Sequence, residues 1–264
     1  MIGLLTMPMM LGGGGWTPAQ AGSLAWFDFT TPGTLWQDTN ATTAVTANND
    51  PVARANDQSG NAKHLLLTGN SDERPLWSAA DGLTFDGVND GLEISSLAIG
   101  ANQLTVGIEL NCTVTGVTYA VLEHGYANNA SSGLNGSMIC YVAAAANAGE
   151  RVVRISQDTD GQGSDGLRGE RFVSTDSAFR SLVMLGDNST SIGDLRFWDE
   201  DDERTGTIVF NTKNGTGNFA TAAFSLGRRT DGSIPGPVKV RRLAIFAGAL
   251  STEDRASLTA WLGG

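Results

Sequence analysis

The stretch Leu83-Thr84-Phe85-Asp86-Gly87-Val88-Asn89-Asp90-Gly91-Leu92-Glu93-Ile94 sets two short apolar runs on either side of a cluster of Asp, Asn and Gly. Apolar runs bounded by turn formers read as strands, so the segment predicts a β-hairpin. The turn residues fit for physical reasons. Gly87 and Gly91 reach positive φ without a Cβ clash, and Asp86, Asn89 and Asp90 carry short acceptors that bond nearby backbone amides. These four, Asp86, Gly87, Asn89 and Asp90, are expected to serve the fold, with Gly87 the most sensitive.

Working outward, the chain from Leu104 to Phe246 alternates strand-like runs with turn signals, among them Leu104–Leu110, Val117–Leu122, Ser137–Val142, Ser181–Leu185 and Val238–Phe246. That spacing is expected of a β-sandwich. Glycine at 34 of 264 residues, with only 17% charged residues, agrees with strands joined by tight turns. One helix is predicted, at the end: Ser251-Thr252-Glu253-Asp254 offers an N-cap with a carboxylate three residues on, and Leu258, Trp261 and Leu262 share a face. The expected architecture is all-β, two antiparallel sheets packed face to face over residues 21–264, with an N-terminal arm over 1–20 and a short C-terminal helix.

A net charge of −11, from 17 basic and 28 acidic residues, repels phosphate backbones and anionic headgroups, so neither nucleic acid nor membrane is an expected partner. Cys112 and Cys140 fall in apparent strands and read as buried free thiols, a single disulfide being the alternative in an oxidising compartment. The N-terminal run is apolar (Met1, Ile2, Leu4, Leu5, Met7, Met9, Met10, Leu11), yet it has no basic flank and is broken by Pro8 and by glycines 12–15. It is too short to span a bilayer. These residues are expected to pack on protein, either as an anchor to a partner or against their own sandwich.

Several weak motifs occur in order: Trp26-Phe27-Asp28, Leu35-Trp36-Gln37-Asp38, Asp50-Pro51-Val52, Asp57-Gln58-Ser59-Gly60-Asn61, Arg74-Pro75 and Phe85-Asp86-Gly87-Val88-Asn89-Asp90. With the strand-to-helix ending at Ile245–Asp254, this order resembles the concanavalin A-like lectin/glucanase superfamily, the laminin-G-like jelly rolls, and within it phage and bacterial members. The resemblance implies a concanavalin A-like jelly roll. It further implies a non-enzymatic structural or adhesion protein of a tailed-phage virion, such as a capsid decoration, head-fibre or tail-associated protein, assembled in the host cytoplasm. Its expected partners are other virion proteins held through the N-terminal arm, sister subunits in a homo-oligomer, and a host or environmental glycan. The alternative is a secreted or cell-surface carbohydrate-binding lectin module. A glycoside hydrolase is the reading with least support.

Candidate sites follow from residue chemistry. Asp158, Asp160 and Asp165 place hard oxygen ligands in a Gly-rich loop, but position five is Gln162 and no bidentate Glu closes the loop at Gly169. A polar loop is the first reading and a weak Ca²⁺ site the second; no other cofactor is expected. Because related lectins hold Ca²⁺ on rim loops, Asp86, Asn89 and Asp90 have a metal-binding alternative to capping their turn. Trp36 and Trp198 are the tryptophans expected to be exposed enough to stack on a sugar. The acidic run Asp199-Glu200-Asp201-Asp202-Glu203 places Glu200 and Asp202 in the alternation that glycosidases of this superfamily use, but lacks the third carboxylate, so a solvated turn is expected. His64 and His124 have no neighbour at zinc-ligand spacing, and there is no nucleophile elbow or P-loop.

Overall fold

The computed structural model describes residues 15–112, 116–125, 136–143, 150–156, 167–173, 178–211, 213 and 215–264. Among these residues the strands form two antiparallel sheets. The first runs β15 (Asp202–Arg204), β14 (Asp194–Asp199), β13 (Arg180–Asp187), β8 (Gln103–Cys112), β18 (Val238–Ala247), β6 (Gly82–Thr84) and β5 (Leu76–Ser78), with β1 (Ala25–Asp28) also paired to β18. The second runs β16 (Thr207–Asn211), β12 (Leu167–Val173), β11 (Glu150–Ser156), β10 (Ser137–Val142), β9 (Tyr119–His124), β17 (Thr221–Leu226), β7 (Leu92–Ala98), β4 (Leu65–Leu66), β3 (Arg54–Ala55) and β2 (Leu35–Trp36). A helix, α1 (Thr252–Leu262), closes the described chain. The fold is the all-β sandwich with a C-terminal helix that the strand pattern predicts.

Period-2 alternation builds the core. Leu104, Val106, Ile108, Leu110 and Cys112 of β8 face inward beside Leu182 and Met184 of β13 and Leu243 and Ile245 of β18. They meet Leu122, Met138, Cys140, Val153, Ile155, Phe224 and Leu226 of the second sheet. Each such side chain removed from water contributes about 1.5–3 kcal/mol, so the shared interior is the main source of stability. Neither cysteine is in a disulfide and both are buried, and burial pushes the Cys140 thiol up to about 12, which leaves it a small inert hydrophobe.

The segment that predicts a hairpin makes a different connection. β6 pairs with β5 and β18 in the first sheet, whereas β7 pairs with β17 and β4 in the second, so Phe85–Gly91 is a corner between sheets. The hairpin lies just upstream, with Trp77 opposite Leu83 and Ser78 opposite Gly82. The corner is held locally and at long range. Asp90 accepts the Asp86 amide at 2.8 Å, Asp86 accepts the Val88 amide at 2.7 Å, and Arg228 donates to the Asn89 carbonyl at 2.7 Å. Gly87 has φ 76° and lies so close to Pro237 that a Cβ would sit 2.8 Å from Pro237 Cδ. Turn chemistry is the same for a hairpin and a corner; pairing with distant strands decides between them.

The polar residues of the ordered motifs tie down loops. Asp57 accepts the amides of Trp26, Ser59 and Lys63, binding the Ser59-Gly60-Asn61 turn to β1. Asp38 accepts amides from Asn40, Thr42 and Thr43; against an opposing desolvation, these bonds bring its carboxyl down to about 2. Asp50 likewise holds the amides of Thr46 and Ala47.

On the outer face of the first sheet, α1 covers Val183, Leu185, Trp198, Ala244 and Phe246 with Leu258 and Leu262. Ser251 caps it by accepting the Asp254 amide at 3.0 Å, and Arg242 donates to the Trp261 and Leu262 carbonyls at its C-terminus. Leu258 approaches the sheet over Gly107, where a Cβ would meet Leu258 Cδ2 at 2.7 Å. Trp16, a residue of the expected arm, packs on the same cluster, as does Ala21 at the start of the sandwich, so the arm lies against the sandwich at that point.

Candidate binding surface

The outer face of the second sheet is built by register. Glu93, Ser225, Glu123, Ile139 and Arg154 stand opposite one another across β7, β17, β9, β10 and β11, and Ala120, Tyr141 and Val152 form the next row. After β17 the chain folds over this face. Gly227 donates to the Val121 carbonyl at 2.9 Å, Ala120 donates to the Ile234 carbonyl at 2.9 Å, and between them Arg229–Ser233 makes an excursion above the sheet.

Glu123 fastens that excursion. It is fully buried; Oε1 accepts Arg229 Nε at 3.0 Å, and Oε2 accepts the Thr230 amide at 2.9 Å and the Thr230 hydroxyl at 3.1 Å. Burial pushes its carboxyl upward, opposed by the Thr230 amide and the Arg229 guanidinium. A carboxylate with its lone pairs engaged in this way is tolerated inside, whereas an isolated one is not. The return of the loop carries strain. Ile234 has φ 42°, a value β-branched residues avoid, and the Pro235 that follows restricts it further.

Beneath the loop lies a cavity of about 390 Å³ lined by Thr118, Ile139, Tyr141, Ala143, Arg154, Arg229 and Ile234. Ile139, Ala143, Ile234 and the Tyr141 ring offer apolar contact, while the Arg154 and Arg229 guanidinium groups and the Thr118 and Tyr141 hydroxyls bring polar atoms to the lining. Such a mixture suits a ligand with apolar C–H faces and polar edges, and the volume is within the usual small-molecule range.

The residues expected from sequence to form sites lie elsewhere. Trp198 corrects the expectation of an exposed platform: it is 5% exposed, covered by α1, with the Arg255 guanidinium 4.6 Å from its ring centre. Trp36 sits on β2 at the far edge of the second sheet, half-buried, its ring nitrogen enclosed without a hydrogen-bond partner. Neither lines the cavity. Asp86, Gly87, Asn89 and Asp90 form the inter-sheet corner. Asp158, Asp160 and Asp165 lie outside the described residues, as do Met1, Ile2, Leu4, Leu5, Met7, Met9, Met10 and Leu11. Among the described residues no three His, Cys, Asp or Glu side chains gather at metal-binding distance. His124 points into the core, where burial pushes its imidazole down to about 4.

The acidic run forms the β14–β15 hairpin, with Glu200 and Asp201 at its tip in positive φ, 53° and 65°. Glu200, Asp202 and Glu203 are exposed, as a solvated turn requires, and the other two acids are held by arginines. Asp199 is 1% exposed between Arg180 at 2.9 Å and Arg204 at 3.3 Å, and Asp201 bonds Arg255 of α1 at 2.9 Å. The residues that sequence reasoning missed are Glu123, Arg229 and Ile234. A usable signal was present: a carboxylate directly after the apolar run Tyr119–Leu122, and Ser233-Ile234-Pro235-Gly236-Pro237, whose two prolines mark a constrained loop.

No family model and no curated protein sequence matches the chain. Solved structures match its fold. A Trypanosoma rangeli sialidase superposes with a TM-score of 0.60 at 11% identity, over 97% of this chain and 35% of the sialidase. The receptor-binding domain of a botulinum neurotoxin of C/D mosaic serotype gives 0.51 at 9%, over 92% and 52%. The binding domain of botulinum neurotoxin DC, solved in complex with rat synaptotagmin II, gives 0.55 at 10%, over 92% and 52%. The chain thus spans about a third of the sialidase and about half of each toxin domain, and shares with them a lectin-like β-sandwich fold. No described helix is long and apolar enough to cross a membrane.

Proposed function

We propose that this chain is a non-enzymatic carbohydrate-binding β-sandwich that seats a sugar on the outer face of its second sheet, under the 227–237 loop. The observation that carries this reading is the brace: a fully buried Glu123 and a strained Ile234 hold Arg229 over a cavity floored by Ile139, Tyr141 and Arg154. Strain of this kind persists where surrounding contacts over-determine it, and it concentrates at ligand clamps. The non-enzymatic part is supported by the acidic run, where the two alternating carboxylates are engaged within the hairpin: Glu200 accepts the Ser181 amide and lies 3.7 Å from Arg180, and Asp202 lies 3.9 Å from Arg204. The fold neighbours include a sialidase solved with sialic acid and a receptor-binding toxin domain; their likeness supports the fold, and the cavity under the loop is what supports a sugar as the ligand.

The test is a glycan array probed with the full chain and with Tyr141→Ala. The wild type should bind a defined subset and the variant should lose it. A blank array, or equal binding by the variant, rejects the assignment.

The virion role rests on the composition of the N-terminal segment and on the motif resemblance. In that reading the arm over residues 1–20 fastens the sandwich to a particle while the cavity faces outward to glycans. Deleting it should leave the sandwich folded and abolish incorporation into particles; normal incorporation of the truncated protein would remove the anchoring role of the arm.

A further inference from the structure

The edge strands of the two sheets are covered or blunted, with one exception. Outside β2 the chain returns on itself, Gln37 donating to the Thr43 carbonyl at 2.8 Å and Val45 to the Leu35 carbonyl at 3.1 Å. Outside β5, Trp77 donates to the Asp50 carbonyl at 2.9 Å and Asn49 donates to the Trp77 carbonyl at 2.7 Å. Outside β1, Gln58 donates to the Trp26 carbonyl at 3.0 Å. β15 is three residues long and every one is charged, Asp202-Glu203-Arg204. β16 is the exception. Its five residues, Thr207-Ile208-Val209-Phe210-Asn211, carry no charge and no proline, and among the described residues no strand lies on its outer side.

An apolar edge of this kind is a ready template for another strand, and chains that stay apart guard such edges with charge, proline or cover. Ile208 adds apolar surface there, 53% exposed. Two observations make a second copy of this chain the strand that fits. The polarity of β16 reads the same in both directions, so that antiparallel pairing centred on Val209 sets Ile208 opposite Phe210 and Thr207 opposite Asn211, apolar against apolar and polar against polar. The charge beside the strand is also close to balance. A cleft of about 600 Å³ at this edge holds Arg196 and Arg204 against Glu170, Asp194 and Glu203, on a chain whose net charge is −11. Two such chains repel over most of their surface and least where local charges cancel.

We propose that two copies of the chain pair through β16, antiparallel and about a two-fold axis at Val209, so that their second sheets join into one. An isologous contact of this kind closes on itself and stops at the dimer. β12 limits its extent: Gly169 stands opposite Phe210 and Glu170 opposite Ile208, which leaves Val209 as the extra residue of a bulge. A bulge bends and twists its strand, so the pairing is short and the dimer weak. The two-fold axis passes through the joined sheet, and the cavities under the two 227–237 loops therefore face the same way. Two weak sites on one face grip a repetitive surface more tightly than either alone. The pairing itself does not depend on what the cavity binds.

Sedimentation velocity of the full chain from micromolar to submillimolar concentration tests it. The wild type should pass from monomer to dimer. Val209→Lys and Val209→Glu each set like charges against each other at the axis and should weaken the dimer about tenfold or more, whereas an equimolar mixture of the two should recover it. Ile192→Lys, at an exposed residue away from β16, should dimerise as wild type does. Amide hydrogen exchange of the wild type needs no variant: residues 207–211 should exchange more slowly as the concentration rises. A monomer over the whole range, which would leave the edge to a different protein's strand or to none, overturns the proposal. So does a dimer whose 207–211 amides exchange at a concentration-independent rate, or a mixture of folded Val209→Lys and Val209→Glu chains that stays monomeric.

Discussion

The outer faces of the two sheets are both partly covered, by opposite means. On the first sheet a helix lays Leu258 and Leu262 on Val183, Leu185, Trp198 and Phe246, and the cover is held by apolar burial. On the second sheet a loop crosses the face through a buried carboxylate, Glu123, and its cover is held by Arg229 and Thr230. Apolar burial is non-directional and closes what it touches. A carboxylate brace fixes a few atoms and leaves room beneath, which is why a cavity with mixed lining survives on the second sheet.

The sharpest way to break this contrast is on the helix. Leu258→Ala removes a fully buried side chain and should lower the unfolding free energy by about 2–5 kcal/mol in chemical denaturation, with no change in glycan preference. A small effect would mean that the helix is not fastened by burial. At the corner joining the two faces, Gly87→Val meets both positive φ and Pro237 and should cost about 2–4 kcal/mol; a thermal melt like that of wild type would contradict the corner geometry. On the second sheet, Glu123→Gln keeps the shape and removes the charge. It should cost about 1–3 kcal/mol and, unlike Leu258→Ala, should also weaken glycan binding. Stability loss with unchanged binding would reduce Glu123 to a structural residue.

Two further effects depend on pH, and being of opposite sign they partly cancel in the wild type. Burial pushes His124 down from 6.5 to about 4, so over that interval the unfolded chain holds the proton that the folded chain refuses, and stability falls as the pH drops. Burial pushes Asp90 up from 3.8 to about 6, so there the folded chain holds the extra proton and stability falls as the pH rises. Melting curves of Asp90→Asn and His124→Gln against wild type between pH 4 and pH 6.5 should separate the two slopes. If Asp90→Asn leaves the profile unchanged, the buried corner carboxylate is not titrating there.

Much of the fold is legible because it is periodic. Leu104, Val106, Ile108 and Leu110 alternate as a core strand must, and Ser251 with Leu258 and Leu262 announces a capped helix with one apolar side. The corner was misread because Asp86, Gly87 and Asp90 make the same local bonds in either connection, whereas the deciding contacts come from Pro237 and Arg228, far along the chain. Trp198 was misread for a related reason: its neighbours in sequence are acids, while its neighbours in space are the residues of α1. The cavity was invisible because its lining comes from β10, β11, the approach to β9 and a loop brought together by register, and the carboxylate after Tyr119–Leu122 does not by itself show which distant loop it holds.

The central claim is that a sugar sits beneath the 227–237 loop. Methyl-resolved NMR of the full chain, titrated with a glycan that the array selects, tests it most directly. The account predicts that the methyl signals of Ile139 and Ile234, which line the cavity, shift and saturate together while those of exposed Ile192 and Ile208 stay in place. Saturable shifts at Ile192 or Ile208 with Ile139 and Ile234 unmoved would contradict it.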